Sequence, residues 1–155
     1  FTRSGESFYM AHTMNFLYRL NSKDGSLEWM YRTDGSLLTI PALENDILYF
    51  GSKDKTITAL NVKTYDVYWS HKIDYWIMCE PEVEEDYVYF CGGGGAIYCL
   101  DKYTGELIWK YQTNGPLDLT NKIIVKDTIL YSGSKDGFIV EIKGEEIDMK
   151  SFYLK

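Results

Sequence analysis

The chain has 155 residues, 45% of them apolar and 25% charged, with 16 Lys and Arg against 23 Asp and Glu for a formal charge of −7. That is the balance of a folded globular domain; no apolar run approaches the roughly 20 residues of a membrane-spanning helix, and the acidic surplus argues against nucleic acid or anionic lipid as the main partner. Its 14 Tyr, 7 Phe and 4 Trp against 3 Pro favour strands over helices.

In chain order, Phe1–Arg3 reads as the end of an inner strand that begins before the chain does, so the first unit is predicted to be incomplete. A repeat then governs the sequence. Trp29, Trp69 and Trp109 stand 40 residues apart, and Leu20, Leu60 and Leu100 lie nine residues before them, followed by Asn21, Asn61 and Asp101. Tyr9, Tyr49 and Tyr89 keep the same period, as do Pro41 and Pro81. A fourth unit opens with TILYSGSKDGFIVEI, close to DILYFGSKDKTITAL in the second, displaced by an insertion between Asp118 and Asp127. The repeats are expected at about residues 1–37, 38–76, 77–117 and 118–155, in a single segment spanning the chain.

Within a unit, two strands surround a hairpin turn. ILYFGS and KTITAL flank Lys53-Asp54, VYFCGG and AIYCLD flank Gly92–Gly95, and TILYSGS and GFIVEI flank Lys135-Asp136-Gly137. A further turn, KDGS or YTGE, leads into a strand containing the Trp (SLEWMYR, DVYWSHK, ELIWKYQ). A short strand, LTIPAL or MCEPEV, is expected to close the unit. Four strands in about 40 residues is the period of a propeller blade. The predicted fold is all-β: a β-propeller of four-stranded antiparallel blades, about four of them, in an incomplete ring.

The spacing from Ala59 to Trp69, with Gly25 and Gly105 four residues before Trp29 and Trp109, resembles the tryptophan-docking motif of pyrroloquinoline-quinone-type propellers. YFCGGGGAIYCLDKYTGELIWKYQTNGP is similar to one such repeat almost end to end. The resemblance implies that the glycines make the tight turn and that Trp29, Trp69 and Trp109 pack between adjacent blades. The chain departs from the pattern at Arg19 and Cys99, which stand where Ala59 does, and at Tyr65, which stands where Gly25 and Gly105 do. Its fourth unit has no Trp.

Several tempting motifs read as structural. Gly92–Gly95 runs into a strand, with no helix and no lysine placed for phosphate, so a hairpin turn is expected there rather than a phosphate cradle. NSKDGSLE, Asn21–Glu28, lacks the alternating carboxylates of a calcium loop and reads as the docking turn. A hairpin centred on Gly93-Gly94 would set Cys91 opposite Ala96 and Cys99 opposite Val88, an offset of about 10 Å that disfavours a bridge or a shared metal. Cys79, Cys91, Cys99, His12 and His71 are therefore expected as core or surface residues. The acidic stretch Glu80–Asp86 is expected as a solvated loop, or as a contact for a basic partner. No nucleophile elbow is present, and neither histidine has an evident catalytic partner. Quinoprotein dehydrogenases of the resembled family carry an adjacent pair of cysteines and calcium ligands; this chain has no adjacent cysteines. No catalytic residue, cofactor or metal is expected.

What escapes the repeat points to function. Trp76 takes the place of Ser36 and Pro116, and Tyr75 that of Gly35 and Gly115, between the outer strand of one blade and the inner strand of the next. Blade packing does not demand large aromatics there. Tyr75, Trp76 and Met78 are thus expected either as partner contacts or as a plug in the central channel. As contacts they would lie on one rim beside the Lys53-Asp54, Gly93-Gly94 and Lys135-Asp136 turns. The leading reading is a non-enzymatic propeller that binds a protein partner or self-associates, similar in its repeats to the outer-membrane assembly propeller lipoproteins of bacteria. A second is a lumenal stress-sensing domain of an endoplasmic-reticulum transmembrane kinase, which dimerises through strands; a third is part of a quinone-dependent dehydrogenase. The first two resemblances imply the periplasm or the endoplasmic-reticulum lumen.

Overall fold

Short apolar-alternating segments separated by Asn-, Asp- and Gly-bearing turns leave the backbone one economical arrangement, the antiparallel meander. The computed structural model describes residues 1–113, 115–117, 123–126, 129–133, 138–143 and 152–153, and it forms four such meanders. The first sheet holds β1 (Thr2–Ser4), β2 (Ser7–His12), β3 (Phe16–Asn21) and β4 (Leu27–Arg32). The second holds β5 (Ala42–Glu44), β6 (Ile47–Gly51), β7 (Thr56–Asn61) and β8 (Val67–Lys72). The third holds β9 (Glu82–Glu84), β10 (Tyr87–Cys91), β11 (Ala96–Asp101) and β12 (Leu107–Gln112). The fourth holds β13 (Ile124–Lys126), β14 (Ile129–Gly133), β15 (Phe138–Lys143) and β16 (Phe152–Tyr153). The inner strands β1, β5, β9 and β13 neighbour one another in succession, so the sheets stand side by side as blades. No helix is long and apolar enough to cross a membrane among the described residues.

The repeated residues explain the repeated turns. Asn21, Asn61 and Asp101 each accept, on the side-chain oxygen, the N–H two residues on, at 2.9, 2.8 and 2.9 Å. This Asx turn reverses the chain before the outer strand. The fourth residue after each takes a left-handed conformation, with φ of 72° at Gly25, 66° at Tyr65 and 74° at Gly105. A register shift follows the same position in every complete copy, between Arg19 and Leu20, Ala59 and Leu60, and Cys99 and Leu100. Such bulges add twist where the outer strand leaves the sheet.

The cores lie between sheets, because a strand's side chains alternate faces and each sheet shows one face to each neighbour. Tyr9 and Leu17 of the first sheet pack on Leu48, Phe50 and Leu60 of the second, with Leu37 of the linker. Tyr49, Ile57, Ala59 and Trp69 of the second pack on Val88, Phe90, Tyr98 and Leu100 of the third. Cys91 and Ile97 of the third join Leu117 and Ile123.

Four expectations are corrected. The short strand is Ala42–Glu44 or Glu82–Glu84, and it opens the following sheet instead of closing the preceding unit. By the same pairing β1, three residues long like β5 and β9, gives the first sheet all four of its strands, so that blade is not incomplete. Three of the seven residues of the acidic stretch are strand: Glu82–Glu84 pairs with Tyr87–Tyr89, and Glu80-Pro81 before it and the turn after it are looped. Finally, the Gly92–Gly95 hairpin is shifted by one residue, setting Cys91 opposite Ile97 and Cys99 opposite Tyr89.

Candidate interaction site: blade seams and the Tyr75–Trp76 linker

Ala59 lies opposite Trp69, and its small side chain leaves room for the indole to reach the next blade. There the ring covers Gly105, where a Cβ would come within 2.5 Å of the indole. Trp69 Nε1–H donates to the Lys102 carbonyl at 2.9 Å, and the Tyr49 hydroxyl donates to the same oxygen at 3.3 Å. Burial pushes the Tyr49 hydroxyl up to about 12, keeping it a neutral donor. The Lys102 ammonium, itself buried, crosses the seam to Glu44 at 2.9 Å, and that hydrogen bond holds its pKa above the usual lysine value.

The seam between the first two blades is built differently. Tyr65 replaces the docking glycine and stacks on Trp29, with centroids 4.8 Å apart and planes within 17°. Arg19, which replaces the small residue, donates to the Val62 carbonyl at 3.2 Å and to the Tyr65 hydroxyl at 3.1 Å. Val62 holds the place of Lys102, so a guanidinium does here what the indole N–H does in the next seam. Glu28 pairs with Arg19 at 2.8 Å; hydrogen bonds, first from Ser7, hold its carboxyl below the ordinary glutamate value. Gly25 has nothing within 4 Å of where a Cβ would stand. Trp109 is half-buried opposite Cys99, beside Tyr89, Leu117 and Ile123. The Cys99 thiol is buried and free, and burial pushes it up to about 12, which makes it inert.

Each of the first two linkers covers the hairpin of the blade that follows. Lys53 N–H donates to the Ser36 carbonyl at 2.9 Å, and at the equivalent place Gly93 N–H donates to the Trp76 carbonyl at 2.9 Å. In the second linker Ile77 bridges to Gly92 and Met78 N–H donates to the Cys91 carbonyl. Tyr75 and Trp76 thus lie on the glycine run, where Cβ atoms at Gly94 and Gly93 would collide with their rings. Tyr75 remains 38% and Trp76 45% exposed, whereas Met78 is half-buried. The Lys110 ammonium sits 5.7 Å from the Tyr75 ring centre and pairs with Asp74. Tyr75 and Trp76 are therefore beside Gly93-Gly94, and Lys53-Asp54 lies under the corresponding part of the first linker; Lys135-Asp136 falls outside the described residues.

A disulfide joins Cys79 to Cys91 with Cα atoms 5.3 Å apart, pinning the linker to the end of β10. This corrects the expectation that all three cysteines stay unpaired. Sequence spacing sets only Cys91 against Cys99 across the hairpin, and there Cys99 faces Tyr89 instead. The missed signal was the linker itself, which runs antiparallel to β10 and brings Cys79 to Cys91. His12 accepts the Met14 N–H on Nδ1 at 3.0 Å, and His71 pairs with Ile57 in the second sheet. No group of three or more His, Cys, Asp or Glu fit to hold a metal occurs among the described residues. Nor are Cys79 and Cys91 an adjacent pair of the kind a quinone site carries: they lie twelve residues apart, one in the linker and one at the end of β10, and are bridged.

Blades in a meander, inner strands in succession and an indole laid across each of the first two seams define a segment of a β-propeller. Comparison with known proteins agrees: residues 2–74 match the family model described as outer membrane protein assembly factor BamB. BamB from Moraxella catarrhalis superposes with a TM-score of 0.77 at 15% identity, over 97% of this chain and 46% of that one. The computationally designed Ika8 protein superposes at 0.82 with 13% identity, over 97% and 47% of the two chains. The designed Ika4 protein superposes at 0.79 with 18% identity, over 99% and 88%. The chain thus spans less than half the length of BamB. No curated protein matches the sequence.

Proposed function

We propose that this propeller segment is a non-enzymatic module that binds a protein partner in an assembly, with Tyr75 and Trp76 as its contact anchors. The observation that carries this is the linker: two part-exposed aromatics held on a glycine turn by backbone hydrogen bonds and tied down by the Cys79–Cys91 bridge. Blade packing explains neither ring, since Gly35 and Ser36 serve at the same positions one blade earlier. Rigid aromatics lose little conformational entropy on binding, the usual reason that Trp and Tyr dominate interface energetics. The family model's description as an assembly factor supports the same reading. The disulfide supports an oxidising, extracytoplasmic compartment.

The test begins with a photo-crosslinking amino acid at Tyr75, in cells, to capture and identify what touches this linker. The purified partner is then titrated with the native chain and with Tyr75→Ala/Trp76→Ala. A hot-spot pair should weaken binding by about 30-fold or more. Unchanged affinity would remove the anchors, and quinone-dependent reduction of an artificial electron acceptor would remove the non-enzymatic reading.

A further inference from the structure

The two ends of the blades differ in how their charges are matched. In each meander the first and third turns lie at one end, while the hairpin and the linker to the next blade lie at the other. At the first end of the first three blades each lysine is paired: Lys23 with Glu6, Lys63 with Asp46 and Lys102 with Glu44. At the other end, where Tyr75 and Trp76 lie, Arg32, Lys53, Lys55 and Lys72 are exposed, and none makes an ion pair or side-chain hydrogen bond among the described residues. Lys55 bears on Asp74 only as a nearby charge. The carboxylates here are partly engaged: Asp74 pairs with Lys110, and Asp54 accepts the Ser52 hydroxyl and the Thr56 N–H within its own turn. Counting Asp34, Glu80 and Lys110, five cations stand against four carboxylates, in a chain whose formal charge is −7. The free cations adjoin the second linker. Lys72 pairs with Thr56 beside the hairpin, Ile73 N–H donates to the Lys55 carbonyl at 2.9 Å, and Arg32 holds the place of Lys72 one blade earlier. The Trp76 indole N–H, held over Gly93, has no acceptor among the described residues. The second and third blades have a blade on either side, so this end is no edge of the arc.

We propose that the partner segment received at Tyr75 and Trp76 is an acidic peptide with an apolar centre, its carboxylates meeting Arg32, Lys53, Lys55 and Lys72. This rests on the reading of Tyr75 and Trp76 as contact anchors, and it adds the chemistry of what they hold. Charge complementarity carries it. Unpaired cations gathered at one end of an acidic molecule draw in an anionic segment and repel a basic one. The free indole N–H of Trp76 offers a carboxylate one directed donor beside the ring. Lys110 stays with the Tyr75 ring because Asp74 holds it there, so it shapes the anchor instead of reaching for the partner. Each exposed pair contributes little, so the set of four decides which segment binds more than how tightly. A flat anionic bilayer fits less well, since it would meet Asp34, Asp74 and Glu80 together with the cations, whereas a peptide places its charges between them.

The test titrates the 155-residue chain with fluorescein-labelled peptides that share a Phe-Trp-Leu centre and differ in their flanks: Asp and Glu, Ser, or Lys. Polarisation should show the acidic peptide binding about tenfold tighter than the serine-flanked one, with the lysine-flanked one weakest. Its affinity should fall about tenfold between about 50 mM and about 500 mM sodium chloride, as exposed charges are screened. Lys55→Glu/Lys72→Glu should reverse the order of the acidic and basic peptides; Arg32→Glu/Lys53→Glu serves should that pair misfold, and the salt titration needs no variant at all. An acidic peptide that fails to bind, or binds no tighter than the serine-flanked one, would overturn the proposal. So would acidic-peptide binding untouched by Tyr75→Ala/Trp76→Ala, which would seat the segment away from the anchors. Phosphatidylglycerol vesicles bound through the same four cations, in preference to the peptide, would assign this end to a membrane and overturn it too. The two readings fail separately. A partner captured at Tyr75 that loses affinity with Tyr75→Ala/Trp76→Ala, yet ignores both salt and Lys55→Glu/Lys72→Glu, would keep the anchors and remove the acidic segment.

Discussion

The two seams within the first three blades solve one packing problem twice. Between the second and third blades a small residue, Ala59, and a glycine, Gly105, let the indole of Trp69 lie on the neighbouring turn and donate to the Lys102 carbonyl. Between the first and second, Tyr65 fills the glycine's place and stacks on Trp29, while Arg19 takes over the donation to the Val62 carbonyl. The comparison teaches that the seam needs two things, a flat apolar contact and a donor for one buried backbone oxygen. The docking motif is one residue set that delivers both. Two departures that look independent in the sequence, Arg19 and Tyr65, compensate each other through a 3.1 Å hydrogen bond.

The comparison breaks most visibly at the tryptophans. Trp69→Ala should cost on the order of 3–5 kcal/mol, as for a fully buried large aromatic, and Trp29→Ala roughly half of that because its ring is half-buried. Urea unfolding of both variants measures the difference, and equal losses would abolish the distinction between the seams. The linkers differ next: Cys79 and Cys91 stand where the first linker has Thr39 and the second sheet Gly51. Reduction, or Cys79→Ala with Cys91→Ala, should cost about 2–4 kcal/mol, since the bridge closes a loop twelve residues apart in sequence. An unfolding midpoint indifferent to reductant would show that the linker is held by its backbone bonds alone.

Glycine substitutions sharpen the contrast further. Gly25→Ala meets only the backbone cost of a left-handed residue, about 1–2 kcal/mol. Gly105→Ala bears that cost and also drives a methyl into the Trp69 ring, so it should lose roughly 2 kcal/mol more. Thermal unfolding that ranks the two equally would contradict the docking geometry. The smallest effect is the coupling of Arg19 to Tyr65. A double-mutant cycle of Arg19→Ala and Tyr65→Phe should give about 0.5–1 kcal/mol, and strict additivity would mean that the two departures do not compensate.

Much of this was legible beforehand. The period carried by Trp29, Trp69 and Trp109 identifies the blades, and the repeated Asn21, Asn61 and Asp101 mark the turns because an Asx turn needs that side chain. Tyr75 and Trp76 stand out because they break the repeat, and the structure lays them on the glycine run. Less legible was the Gly92–Gly95 hairpin, where four glycines admit more than one turn and so leave the register open by a residue. The inner strand was misassigned because LTIPAL and MCEPEV mix linker and strand, and only pairing with β6 or β10 separates them.

By itself the sequence determined whatever is local and periodic: strand spacing, turn chemistry, blade count among the repeats, and which positions face a seam. Those follow from the alternation of side chains along a strand and from the φ values that Gly, Asn and Asp tolerate. Only the tertiary structure decided what joins one unit to the next. It set Cys79 against Cys91, gave Arg19 the carbonyl of Val62, and laid the indole of Trp69 on Gly105. These are contacts between side chains of different sheets or of a linker and a sheet, and their geometry depends on how whole blades stack. A 40-residue period repeats within each blade and holds no record of the angle or depth at which the next blade is laid on it.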